Sequence, residues 1–163
     1  MIELIRKAYS LLITGANALQ SPLLLLIRLY WGWQFFQTGK GKLENLDRVT
    51  GFFESLHIPF PHQQAIFVGC VESIGGLCLL LGLASRVITI PLAGTLIVAY
   101  LTADLDLVKG IFSNPDKFVT ADEFLFLFAV AVVFVFGPGK LSLDALIGRW
   151  LARKHPTTSN AAA

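Results

Sequence analysis

Two ionisable residues sit deep inside apolar runs, and they are where the sequence could do chemistry. Arg28 interrupts Pro22–Lys42, PLLLLIRLYWGWQFFQTGKGK, and Glu72 interrupts the run from His62 to Leu83. An arginine at the centre of a membrane helix costs roughly 2.5–3.5 kcal/mol on the mildest insertion scale, so it calls for a partner. Measured along each helix at about 1.5 Å per residue, Arg28 lies about 9 Å from the start of its run and Glu72 about 15 Å from the opposite side. In a hydrocarbon core about 30 Å thick that leaves a depth difference of about 6 Å, within reach of an arginine side chain. The expectation is a bidentate Arg28–Glu72 pair at the working centre.

The surroundings of these two residues suit a ligand. Trp31 and Phe35 stand on the Arg28 helix among Tyr30, Trp33 and Phe36, and Lys42 follows at its end. Gly69, Ser73 and Gly76 flank Glu72 at small-residue spacing, which admits a neighbouring backbone or leaves room for a ligand. One cation, one carboxylate and aromatic walls fit a flat lipophilic molecule with a polar head, such as a quinone. The candidate ligand-binding residues are therefore Arg28, Trp31, Phe35, Lys42, Glu72 and Gly76, with Arg28 and Glu72 the catalytic candidates. The bland alternative is a buried pair that only locks two helices in register.

Other chemistries find less support. His57, His62 and His155 all fall outside the apolar runs, so no bis-histidine haem site is expected, and no metal site is assigned. Glu54-x-x-His57 is a single copy of a spacing that di-iron bundles use twice. Gly39-Lys-Gly-Lys42 lacks the strand and helix of a phosphate loop. Asp104, Asp106, Asp122 and Glu123 read as solvated charges at span ends. Cys70 and Cys78 lie about 12 Å apart along one helix, too far to bridge.

The elements that must position these residues follow from composition. The chain has 163 residues, 55% of them hydrophobic and only 15% charged, with a mean hydropathy of +0.67, which indicates an integral membrane protein. A net charge of +2 without a basic stripe excludes nucleic acid as a partner. The expected fold is all-α, an antiparallel four-helix transmembrane bundle with spans at about 22–39, 62–83, 87–103 and 121–136. Ser21 is the expected cap and Pro22 the first residue of the opening helix.

Residues 1–21 form an N-terminal interfacial segment in this reading, with Ile2, Ile5, Tyr9 and Leu12 on one side and Glu3, Arg6, Lys7 and Ser10 on the other. A cleaved signal is disfavoured by the short apolar region and by Glu3. Leu46, Val49, Phe52, Phe53 and Leu56 make an amphipathic interfacial helix of the first loop. The four-span domain runs to residue 146. Residues 147–163 form a cytoplasmic tail, disordered from about 156. Arg6, Lys7, Arg86, Lys140, Arg149, Arg153 and Lys154 put both termini on the cytoplasmic side of a bacterial inner membrane.

As a whole the chain resembles the DoxX family of small four-helix membrane proteins. The resemblance rests on Arg28-Leu, Gly39-x-x-Lys42-Leu, Glu72-Ser-Ile-Gly-Gly-Leu, Leu81-Gly-Leu-Ala-Ser-Arg86, Asp122-Glu123 and Gly137-Pro-Gly-Lys-Leu-Ser142-Leu-Asp144, between about Leu24 and Leu146. It implies a quinone-associated subunit of a membrane redox complex with thiol or sulfur-linked chemistry and a redox partner protein; the lipid bilayer is the expected surrounding, and a homo-oligomer is left open by the sequence. It also implies that Asp144 serves a structural lock near Lys140 and Arg149. A small-solute carrier and a non-catalytic assembly protein are the alternatives from other classes.

Overall fold

The computed structural model describes residues 1–154, and all of its regular structure is helical. Eight helices follow in order: α1 Ile2–Glu44, α2 Leu46–Ser55, α3 Pro61–Leu81, α4 Ser85–Thr102, α5 Leu105–Lys109, α6 Pro115–Val119, α7 Asp122–Phe136 and α8 Leu143–Lys154. Of these, α1, α3 and α4 are long and apolar enough to cross a membrane. The very apolar α7 has 15 residues, about 22 Å of rise. Each of the four packs on two others: α1 on α3 and α7, and α4 on α3 and α7. Their shared core is Phe35, Leu79, Leu92, Leu96, Val130 and Val133, while Leu23, Leu26, Ile74, Ile90 and Phe134 point outward. Such a dry centre with an apolar exterior is what a bilayer solvates.

The α1–α3 contact sets the register of everything else. A methyl group on Gly32 would lie 2.7 Å from the Leu80 nitrogen and 2.9 Å from the Gly76 oxygen. One on Gly39 would lie 2.8 Å from the Glu72 Cβ, and one on Gly69 would lie 2.7 Å from Leu43. Contacts that close leave no space for a side chain, so Gly32, Gly39, Gly69 and Gly76 let the two backbones touch. Numbers rise along α1 as they fall along α3, which makes the pair antiparallel. Because the obstructing atoms at Gly76 include backbone, Gly76→Leu is expected to force α1 and α3 apart. Its cost should exceed the usual 1–3 kcal/mol of an overpacked core, read as a lowered unfolding midpoint in mild detergent.

Two expectations change here. First, α1 is one helix of 43 residues, with Pro22 in its interior and no break at Ser21. The Ser21 hydroxyl does not cap it but accepts a hydrogen bond from the Lys140 backbone at 3.2 Å. Second, α8 continues the chain as a helix past the expected domain limit at 146. Its Leu143, Leu146, Ile147, Trp150 and Leu151 follow an amphipathic spacing that was legible in the sequence. The loop after α4 holds two short helices separated by residues 110–114, where the sequence breaks the apolar cluster of Leu107, Val108, Ile111 and Phe112 at Ser113–Asn114. The expectation of disorder from Pro156 lies outside the described residues.

Candidate functional site

Arg28 and Glu72 do not meet. The α1–α3 register puts Arg28 level with Gly82, where a methyl group would lie 2.8 Å from the guanidinium carbon. Glu72 instead lies level with Gly39. Eleven residues of α1 separate those levels, about 16 Å of helix. The sequence estimate measured depth from the ends of the apolar runs, and the glycine contacts set a different register.

Arg28, 1% exposed, closes one end of the bundle. Its Nη1 donates to the Pro138 carbonyl at 2.7 Å and its Nη2 to the Leu141 carbonyl at 2.8 Å. Those carbonyls belong to the turn after α7, where Gly137 and Gly139 have φ of 77° and 78°, a region that suits residues without a Cβ. Ser142 tightens the turn by donating to Gly139 at 2.8 Å and accepting from the Ala145 nitrogen at 3.1 Å.

Asp144 completes this clasp. Its carboxylate accepts from the backbone nitrogens of Ala84 and Ser85 at 2.7 and 3.0 Å, capping the start of α4 from a distant part of the chain. Its own nitrogen donates to the Gly82 carbonyl at 2.9 Å. Arg86 reaches back to the Val135 carbonyl at 3.3 Å. Asp144 therefore locks the α3–α4 hairpin through backbone amides, and Arg149 instead donates to the Lys140 carbonyl at 2.7 Å.

The second cluster lies towards the other end of α1. Gly39 lets Glu72 lie against α1, and Lys42, one turn further, reaches it on the same face. The Lys42 Nζ lies 2.5 Å from Glu72 Oε1, a short charge-assisted contact. The Glu72 side chain is 6% exposed and that of Lys42 is 32% exposed. Glu72 Oε2 and the Ser73 hydroxyl have no hydrogen-bond partner among the described residues.

This pair borders a cleft of about 1250 Å³ walled by α1, α2, α3, α4 and α7. Phe35, Phe52, Phe53, Phe67, Leu96 and Phe126 form much of its apolar lining, with Thr38, Gln64 and Thr95 among the polar groups. Asp104, Asp122 and Glu123 line it too. The Phe35 ring meets Phe126 edge-on at 4.7 Å, and Trp31 meets the same Phe126 ring at 4.8 Å.

Of the expected ligand-binding residues, the cleft brings together Phe35, Lys42 and Glu72. Trp31 packs on Phe126, Arg28 belongs to the clasp, and the space beside Gly76 is filled by the α1 backbone. Sequence reasoning missed Phe126, Thr95 and Gln64. The first two come from helices whose rotation about α1 no local pattern encodes. The Lys42–Glu72 pairing did have a signal, because Gly32 and Gly39 are spaced like Gly69 and Gly76.

Dry helix contacts built on glycine, apolar surfaces facing outward and a buried ion pair beside a cleft define an integral membrane protein in contact with lipid. The chain belongs to the DoxX family, whose model, described as DoxX, matches residues 23–105. It is also similar to a Bacillus subtilis (strain 168) protein named "Putative oxidoreductase CatD", 30% identical over 123 residues, which covers 76% of this chain and 85% of that protein. No solved structure matches the chain.

Proposed function

We propose that this protein is a quinone-associated subunit of a redox complex in a bacterial cytoplasmic membrane. In this reading α7 crosses the bilayer with α1, α3 and α4 as an antiparallel bundle. Both termini lie in the cytoplasm, where the clasp and α8 would face a redox partner. The observation that carries the reading is the buried Glu72 carboxylate paired with the half-buried Lys42 ammonium in the wall of a cleft lined by phenylalanines. Buried ions in membrane helices are costly and mark functional pathways. Aromatic walls with few polar groups suit a flat lipophilic ring. Similarity to a protein named as an oxidoreductase adds support.

In this assignment Lys42 and Glu72 hold the polar head of the quinone, Phe35 and Phe126 its ring, and Arg28 the fold. Protein purified in native lipid should yield quinone on solvent extraction. Gly94 lines the cleft, and a Cβ there meets nothing within 4 Å. Gly94→Trp should therefore fold, fill the space, and reduce extracted quinone to about a tenth, the loss expected when a pocket is sterically occupied. Absence of quinone from the wild type would sink the reading, and flux in reconstituted vesicles that depends on Glu72 would favour the carrier instead.

A further inference from the structure

We propose that the outward face of α1 is the seam of a parallel coiled coil that pairs two copies of this chain. The pairing does not depend on what the cleft holds. Leu24 is the first residue of α1 to be buried, and among the described residues 2–20 are all exposed, about 28 Å of helix that runs on past the clasp end of the bundle. Ile2, Ile13, Thr14, Gly15 and Asn17 are weak helix formers, and a helix of that composition standing alone in water is marginal. It needs a neighbour.

The spacing of its apolar residues specifies which one. Ile2, Ile5, Tyr9, Leu12, Ala16 and Leu19 stand alternately three and four positions apart, the repeat that winds two helices around each other. Leu23 and Leu26 carry the same alternation into the bundle, where both face outward. Leu24 and Arg28, which α1 turns to its own bundle, lie on roughly the opposite side. The stripe is therefore continuous, and packing within one copy leaves it bare.

A second copy is the occupant that fits. Copies in one membrane share an orientation, so their α1 helices run parallel and each stripe meets its own equivalent, residue for residue. Two such stripes bury on the order of 1,000 Å², the size that a specific interface must reach. Between Ile2 and Leu26 the positions flanking the stripe carry one charge, Arg6, so little repulsion opposes pairing. The bilayer surface fits less well. Through Pro22 α1 continues as one helix rather than breaking into a second that could lie flat, and Arg6 and Lys7 are offset by Glu3. The chain beyond Lys154, HPTTSNAAA, offers no large apolar side chain to cover the stripe.

Cysteine cross-linking of the full chain in native membranes tests the seam. Leu12→Cys and Leu19→Cys lie on the stripe, and Leu11→Cys and Ala18→Cys lie one position off it. All four sites are exposed and should accept a cysteine without loss of the fold. The wild type, with Cys70 and Cys78, gives the background. A disulfide needs its Cα atoms within about 7 Å, so copper–phenanthroline oxidation should yield at least about tenfold more covalent dimer on the stripe than off it. Independently, Ile5→Lys/Leu12→Lys sets like charges against each other across the seam and should raise the Kd of the dimer at least about tenfold by sedimentation in mild detergent. Equal cross-linking on and off the stripe, or a wild type that sediments as a monomer, overturns the pairing. So does a preference for Leu11→Cys, which would put the contact on another face. A fluorophore on Leu12→Cys that is quenched by spin-labelled lipid, with no covalent dimer at that site, assigns the face to the bilayer and overturns it as well.

Discussion

Arg28→Met is expected to open the clasp and produce the largest loss of stability of any single substitution in the chain. Methionine fills similar space but leaves the carbonyls of Pro138 and Leu141 without their donors. Two hydrogen bonds to a charged group at about 1.5–3 kcal/mol each put the cost at roughly 3–6 kcal/mol. Arg28→Lys should recover little, because an ammonium is a point donor and the two carbonyls sit at separate positions that a planar fork spans. Unfolding titrations in mild detergent read the stability, and hydrogen exchange over residues 137–145 reads the location. A variant within about 1 kcal/mol of the wild type, inside the range of an ordinary surface change, would show that the turn closes without Arg28.

Lys42→Met should come second. It leaves the Glu72 carboxylate buried with no opposing charge among the groups that now satisfy it. Removing one partner of a buried pair typically costs about 3–5 kcal/mol, whereas replacing both with apolar residues of similar size is often neutral or better. The double variant Lys42→Met/Glu72→Met is therefore expected to unfold near the wild type or above it. Its bound quinone is the informative measurement. A pair that only locks helices can be exchanged without loss of ligand, and a pair that holds a polar head cannot. Stable double-variant protein that still carries quinone would assign the pair to the fold.

These two residues also show what the sequence could and could not reveal. Hydropathy and charge exposed the membrane character and the three longest apolar helices, because a bilayer constrains composition over whole segments. Arg28 and Glu72 stood out for the same reason. Their partners did not. Arg28 is satisfied by backbone carbonyls, and a carbonyl has no letter of its own, so a cation that needed company was matched to the nearest anion instead. Glycine contacts decide the level of each residue, and a shift of fourteen positions along α1, about four turns, replaces Arg28 by Lys42 as the partner of Glu72. The cleft was still less legible, since Phe126 and Thr95 meet Phe35 only once α4 and α7 have taken their places around α1. Asp144 was recognised as a lock, but its acceptor role towards the α4 amides depends on a chain reversal that spacing alone does not describe.

The clasp joins residue 28 to residues 138 and 141, and the amides of 84 and 85 to residue 144. During synthesis Arg28 enters the bilayer more than a hundred residues before its acceptors exist. Until then its charge must be sheltered by headgroups, water or the insertion machinery. A chain that halts before Gly137 keeps the apolar helices and displays an unsatisfied cation, whereas a finished chain hides it. Burial of the arginine thus has to wait for residues 138 and 141, so the first transmembrane helix is sealed by some of the last residues made.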